Sequence, residues 1–395
     1  MTAGTTDLAG PSSHRRRWRA GVVQAVTRPG VVELGPGYLS PDLLPVDLLD
    51  EAYRRVFAEY GSAALAYGDN RGALDLRSEL AERAADADGR ACGPDHVLIT
   101  AGTSHALHLL ATTLGAPGGS VVVDQVGYDF GRRVLTDSGL RAREVPSDGQ
   151  GMDPGALDAA LARERPCFVY LNPTFHNPTG VVVPHVRREE VLAVAARHEV
   201  LVVEDDAYGE LGFEPGRRYS MAGLAGYRGV VRLGTVSKTL GPGLRLGWLL
   251  ADPAVTGGLA ARGLFVSGGC ANHLASLALG ELLGSGDYDL HLDWLRTRLR
   301  WRRDALAAAL SEGLGDAAEF RLPAGGCFLW LTATGATTEA DLLAAAGRAG
   351  IAVAAGSRFG SPPTPSIRLS YSFSSPDELA AAGAALAREL NPDRT

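Results

Sequence analysis

Among the 38 lysine and arginine side chains of this 395-residue chain, one is a lysine. It is Lys238, in the stretch Thr235-Val236-Ser237-Lys238-Thr239-Leu240-Gly241-Pro242-Gly243-Leu244-Arg245. A guanidinium stays protonated and cannot act as a nucleophilic amine, whereas a lysine can lose its proton and form a Schiff base. A compositional bias against lysine would leave its survivor anywhere. This one stands among small hydroxyls at Thr235 and Ser237, several glycines, and Arg245 seven residues on. An amine surrounded by hydroxyls and a guanidinium suits an aldehyde cofactor that carries a phosphate, which is pyridoxal phosphate held as an imine.

That cofactor needs an anion beside its ring nitrogen, donors to its ring hydroxyl and a cradle for its phosphate. Asp205 follows the strand Leu201-Val202-Val203-Glu204, and a carboxylate at a strand end can keep a pyridine nitrogen protonated. Tyr208, three residues on, can donate to the ring oxygen. Taken alone, Asp205 and Asp206 read equally as two solvated acids of a loop. In Asn172-Pro173-Thr174-Phe175-His176-Asn177-Pro178-Thr179-Gly180 the prolines and glycine fix a turn that offers Asn177 as a neutral donor. Gly102-Thr103-Ser104 opens a helix after a strand, so its amides can receive a phosphate, although many such turns look alike. Tyr128 is placed to stack on the pyridine, or to pack at a domain rim. Arg368, between strand-like apolar residues, needs a partner if buried; a substrate carboxylate held in a two-pronged grip would serve, as would an internal ion pair. His105 and His108 lie three apart on a helix but lack a third ligand, so no metal site is expected.

The elements that must hold these residues alternate. Valine- and leucine-rich strands are expected at residues 96–100, 121–124, 167–171, 200–205, 230–235 and 248–251, with helices between several of them, such as 105–114 and 187–197. Continuous apolar strands indicate a sheet covered on both faces. The fold class is therefore α/β, a large domain with a mostly parallel sheet sandwiched by helices. Past residue 284 the texture changes to a long Arg- and Leu-rich helix at 288–314 and shorter α+β elements. A helix at 339–348 has Thr338 as its cap. The last helix has Ser375 as cap, Pro376 at its first position and Glu378 at its third, and runs through Leu390.

Composition bounds the alternatives. A chain that is 46% hydrophobic and 21% charged can bury a large core. A net charge of −7 argues against nucleic acid or an anionic membrane as a partner. Cys92, Cys167, Cys270 and Cys327 match no metal or redox spacing and read as free thiols in a reducing cytoplasm. The apolar runs fall short of the roughly 20 residues of a membrane span. The run His14-Arg15-Arg16-Arg17-Trp18-Arg19 lacks the apolar core of an export signal, so residues 1–30 read as a flexible arm.

Together, Ser237-Lys238-Thr239-Leu240-Gly241-Pro242-Gly243-Leu244-Arg245, Asn177-Pro178-Thr179-Gly180, Asp205-Asp206-Ala207-Tyr208 and Arg368 resemble the class I/II aminotransferases of pyridoxal phosphate fold type I, over residues 37–373. The resemblance implies Lys238 as the Schiff-base lysine and Asp205 as the partner of the ring nitrogen. It gives Asn177 and Tyr208 to the ring oxygen, and Arg245, Thr235, Ser237 and the Gly102-Thr103-Ser104 turn to the phosphate. Tyr128 stacks on the ring. Arg368, with Gly37 and Asn177 beside it, takes the substrate's α-carboxylate. Tyr67 resembles the tyrosine that reaches the phosphate of a neighbouring subunit, which implies a homodimer with shared sites. The implied domains are a large one at 51–284 and a small one built from 31–50 and 285–395. The implied reaction moves an amino group between an L-amino acid and a 2-oxo acid.

Leu39, Val126-Gly127 and His176 depart from the residues usual in such relatives, and leave room for a specialised, non-proteinogenic substrate. Two rivals share the motifs. One is a decarboxylase, lyase or oxygen-using enzyme of the same fold; the other is a cofactor-binding sensor domain of a transcription regulator, for whose helix-turn-helix module the residues before the fold are too few.

Overall fold

The computed structural model describes residues 30–214, 216 and 219–391. The expected arm lies, apart from Gly30, outside the described residues.

The seven-stranded central sheet runs Val97–Thr100, Gly247–Leu250, Val230–Thr235, Leu201–Asp205, Phe168–Leu171, Ser120–Asp124 and Arg141–Val145. Six strands point the same way, and Gly247–Leu250 runs against both neighbours. The reversal follows from chain length: the Lys238 loop, 236–246, is shorter than the dozen or so residues a parallel crossover requires. Adjacent residues of one strand serve opposite faces. Val121, Val123 and Val203 pack with Ala106, Leu107 and Leu110 of the helix Thr103–Leu114. Val122 and Val202 pack with Leu157 and Leu161 of Pro154–Arg163 and with Val191 and Val194 of His185–Arg197. Both faces are thus covered, as the unbroken apolar strands require.

A second, antiparallel sheet runs Ala318–Phe320, Phe328–Ala333, Ser366–Ser370 and Ala354–Ala355. Leu295, Leu299, Leu306 and Leu310 of Asp287–Gly313 share a core with Leu379 and Leu386 of Pro376–Leu390 and with Leu329 and Leu369 of this sheet. Ser375 caps the last helix as expected: its hydroxyl accepts from the Glu378 amide while Glu378 returns to the Ser375 amide. Thr338 and Asp341 form the same reciprocal box. Near the start, Val32–Glu33 pairs in parallel with Ile351–Ala352, tying the chain's beginning to its last third.

Thr100, Asp124, Leu171, Asp205 and Thr235 end five of the parallel strands. Their following loops therefore meet at one edge of the sheet, the usual place for a ligand in an open α/β fold. No described helix is long and apolar enough to cross a membrane.

Candidate active site

Lys238 sits half-buried at that edge, its loop braced from within. The Thr235 hydroxyl donates to the Leu246 carbonyl at 2.8 Å and accepts from the Ser237 amide at 3.1 Å, and the Ser237 hydroxyl lies 2.9 Å away. The Lys238 Nζ donates to the Gly37 carbonyl at 2.8 Å and stands 5.7 Å from the centre of the Tyr208 ring. Burial lowers its pKa from the ordinary lysine value, with Arg368 and Arg245 adding to the effect and Cys327 and Asp205 opposing it. An ammonium disfavoured in this way yields the free amine a Schiff base requires.

Asp205 is buried at the end of its strand. The Tyr170 hydroxyl donates to Oδ2 at 2.6 Å, while Oδ1, equally buried, has no hydrogen-bond partner. Burial pushes the carboxyl up to about 6 and the neighbouring Asp206 adds to this; the Tyr170 hydrogen bond, the Ala207 amide and the charge of Lys238 pull the other way. A buried carboxylate oxygen without a donor is costly unless a ligand supplies one. A protonated pyridine nitrogen is such a donor, so Asp205 fits the ring of pyridoxal phosphate. Burial also holds the Tyr170 hydroxyl well above its ordinary pKa, which keeps it a donor.

Tyr170 lies outside the quoted motifs, and Asn172 opens the Asn177 turn without its bonding role being evident from spacing. The Asn172 side chain donates to the Asp205 carbonyl and accepts from the Asn177 amide at 2.8 Å, locking the two loops together. The signal for Tyr170 was a hydroxyl inside an otherwise apolar buried strand, where it must find a polar partner.

Asn177 and Tyr208 are both buried, with the Asn177 amide nitrogen 3.5 Å from the Tyr208 hydroxyl. The Tyr208 ring is held edge-on by Phe328. Arg368 joins this group: its Nη1 donates to Asn177 Oδ1 and its Nη2 to the Gly35 carbonyl, each at 2.7 Å. Its guanidinium carbon lies 4.0 Å from the Phe328 ring centre and 4.7 Å from that of Phe359. No carboxylate lies within 4 Å of it among the described residues, and its Nε is buried without a partner. Burial brings its pKa down to about 10, still protonated at neutral pH. Of the two partners open to it from sequence, the internal acid is thus absent among the described residues. Gly37 lies close by, where a Cβ would come within 3.0 Å of Phe328.

On the other side of Lys238, Gly102 has φ +85° and precedes the helix Thr103–Leu114, which starts two residues earlier than expected. A Cβ at Gly102 would meet Arg245 Nη2 at 3.0 Å. Arg245 turns back over this helix start, its Nη2 donating to the Ala101 carbonyl at 3.0 Å. Free amides at Thr103 and Ser104 beside a guanidinium match the chemistry of a phosphate. Tyr128 is half-buried at the start of Asp129–Asp137, with burial raising its pKa. Tyr67 stands apart, 85% exposed. His105 receives the Ala101 amide and His108 contacts Ser138, and no metal-ligating cluster occurs among the described residues.

The family model for aminotransferase class I and II matches residues 32–386. The chain is 33% identical over 327 residues to the 2-aminoadipate transaminase of Thermus thermophilus, covering 79% of this chain and 80% of that one. It is 32% identical over 320 residues to the uncharacterized HTH-type transcriptional regulator YisV of Bacillus subtilis, a match that takes in 80% of this chain and 65% of the regulator. Among solved structures, the α-aminoadipate aminotransferase LysN of Thermus thermophilus, complexed with N-(5'-phosphopyridoxyl)-L-leucine, superposes with a TM-score of 0.81 at 31% identity, covering 94% and 96% of the two chains. The kynurenine aminotransferase of Pyrococcus horikoshii gives 0.85 at 25% identity, covering 98% and 96%.

Proposed function

Because the chain belongs to the class I and II aminotransferases, pyridoxal phosphate-dependent enzymes of fold type I, we propose that it moves the amino group of an L-amino acid to a 2-oxo acid, with Lys238 as Schiff-base residue and proton carrier. The observation that carries this reading is Asp205, one oxygen held by Tyr170 and the other buried without a donor, in the same cleft as the chain's single lysine. Pyridoxal phosphate, when bound, supplies an aldehyde that exchanges amines and a protonated ring that accepts the electron pair left on the substrate's α-carbon.

The chain's own residues set the rest. Arg368 and Asn177 hold the α-carboxylate and fix which bond at the α-carbon faces Lys238. Burial lowers the pKa of the Lys238 amine, which favours the free base that takes the α-proton and returns it later. Asp205 keeps the ring nitrogen protonated, while Asn177 and Tyr208 hold the ring oxygen. Gly102, Thr103, Ser104, Thr235, Ser237 and Arg245 receive the phosphate, and Tyr128 covers the ring. Tyr67, exposed beside the similarly exposed Leu65, reaches the phosphate of a second copy in a homodimer. We divide the chain into a large domain at 51–284 and a small one from 31–50 and 285–395, and place the enzyme in the cytoplasm, in keeping with its four free cysteines.

Relatives named for 2-aminoadipate and for aromatic amino acids head the donor panel, followed by non-proteinogenic amino acids. The test uses a 15N-labelled donor and an unlabelled 2-oxo acid. Appearance of 15N in the amino acid formed from the oxo acid is expected. Release of carbon dioxide or uptake of oxygen without nitrogen transfer would assign one of the other fold type I chemistries. A second reading, a cofactor-binding sensor without turnover, is favoured by the match to YisV. Tight amino acid binding with no nitrogen transfer by any donor would establish it.

A further inference from the structure

A cavity of about 430 Å³ lies between the central sheet and the antiparallel sheet, within the size range of small-molecule sites. The segment 172–177 separates it from Lys238: Asn172 lines the cavity on one side and bonds the Asp205 carbonyl on the other. Val126, Met152 and Val183 form one wall, and Trp330, Phe320 and Pro362 the other.

Two polar side chains at its inner end have no role in the chemistry above. Asp124 is 7% exposed, and among the described residues no arginine lies within 4 Å of its carboxylate. The Ser147 hydroxyl donates to its Oδ1 at 3.1 Å. His176 is 8% exposed; its Nδ1 bonds the Thr179 hydroxyl at 2.7 Å, while its buried Nε2 has no partner and lies 3.9 Å from Asp124 Oδ2. Two acceptors at that spacing can share one nitrogen donor, each at ordinary hydrogen-bond length, if the imidazole carries its proton on Nδ1. Burial brings His176 down to about 4, so the ring is neutral and adds no positive charge beside the carboxylate. Burial also pushes Asp124 up to about 7, against the opposing pull of the Ser147 hydroxyl, the Asn172 amide and the charge of Arg132, whose Nη2 donates to the Asp124 carbonyl at 3.0 Å rather than to its carboxylate. Two arginines line the cavity: Arg321 is exposed and bonds the Gly149 carbonyl, and Arg188 is buried and paired with Glu204 at 3.4 Å.

We propose that this cavity is a second small-molecule site, distinct from the Lys238 cleft, which takes a compact arylalkyl amine as its ammonium ion. The ammonium donates one N–H to Asp124, and a second, where the amine carries one, to His176 Nε2; the aromatic body lies between Trp330 and the aliphatic wall of Val126, Met152 and Val183. Since Phe320 and Trp330 belong to the antiparallel sheet while Val126 follows the central strand Ser120–Asp124, the bound amine also fixes their spacing.

The probe is N,N-dimethyl-2-phenylethylamine. Protonated at neutral pH, this tertiary amine carries a single N–H, which it gives to Asp124, and it cannot condense with an aldehyde, so chemistry at Lys238 contributes no signal. Calorimetric titration of the cofactor-loaded protein is expected to show saturable binding of one probe per chain, with much weaker binding of the neutral analogue 2-phenylethanol. Asp124→Asn is expected to weaken the probe by roughly tenfold or more, the worth of a charge-assisted hydrogen bond. Thr332→Phe, which fills the cavity from the antiparallel sheet, is expected to abolish binding while the cofactor's absorbance is retained. Absence of saturable binding to the wild type, undiminished binding to Thr332→Phe, or displacement of the probe by an amino acid substrate in simple competition would each overturn the proposal. None of these readouts depends on turnover, so they stand apart from the test of nitrogen transfer.

Discussion

Removing the Tyr170 hydroxyl isolates the electrostatics of the cofactor site with little change in shape. In Tyr170→Phe the ring stays in its buried strand position, and Asp205 loses the 2.6 Å hydrogen bond to Oδ2. A buried hydrogen bond to an ionised carboxylate contributes about 1.5–3 kcal/mol. At about 1.4 kcal/mol per pKa unit, its loss moves Asp205 from about 6 up to roughly 7–8. Ionisation of Asp205 is needed to pair with a protonated ring nitrogen. At pH 6 about half of the wild-type carboxyl is ionised, against roughly one tenth to one hundredth in the variant. By pH 9 both are ionised. Titration of the apoprotein with pyridoxal phosphate, followed by quenching of tryptophan fluorescence, therefore gives a wild-type to variant affinity ratio of roughly 5–50 at pH 6 that narrows steadily toward pH 9. A ratio near one throughout, or a ratio independent of pH, would refute the account of how Asp205 is set.

Three further outcomes follow from the same geometry. Arg368→Gln keeps the cofactor but removes the substrate's ionic anchor, raising KM for amino acid donors roughly 10–150-fold in steady-state assays with kcat less affected. His176→Gln removes a histidine whose pKa is depressed by burial from 6.5 to about 4. The unfolded wild type takes up this proton first, so the stability that its neutral form contributes above pH 6.5 is lost as pH falls toward 4, by about 3 kcal/mol. Asp124 and Asp205, with raised pKa values, act in the opposite sense over the overlapping range, so urea midpoints of wild type and variant must be compared at each pH; a constant difference would contradict the assignment. Gly102→Ala places a methyl group 3.0 Å from Arg245 at φ +85°, at a cost of about 1–3 kcal/mol. Its affinity for pyridoxal phosphate falls, and unchanged affinity would remove the Gly102 turn from the phosphate site.

Much of this arrangement was legible in the sequence where local chemistry decides structure. The capping residues Thr338 and Ser375 mark helix starts that are correct to the residue, because each cap satisfies amides of its own first turn. The buried parallel strands were legible because apolar runs covered on both faces have few other solutions. The edge strand Arg141–Val145 was not, since four of its five residues are partly or fully exposed and its sequence, Arg-Ala-Arg-Glu-Val, carries no apolar period. The reversed direction of Gly247–Leu250 was present in the length of the preceding loop, but the α/β alternation around it conceals that signal. Within the site, Lys238, Asp205, Asn177, Tyr208 and Arg368 lie close together, and each was legible because it sits in a motif with its own chemistry. Tyr170 and Asp124 carry no such motif, and Asn172 and His176 stand in the Asn177 turn without a spacing that shows what they bond. They matter through side chains brought together across the sheet, from residues up to 52 positions apart, and only the fold supplies that proximity.

The central claim is a covalent bond between one amine and one aldehyde. Reduction of the cofactor-loaded protein with borohydride, followed by proteolysis and mass spectrometry, is predicted to yield a single phosphopyridoxyl adduct on the peptide that carries Lys238. An unmodified Lys238 peptide, recovered from protein that has bound the cofactor in full, would contradict it.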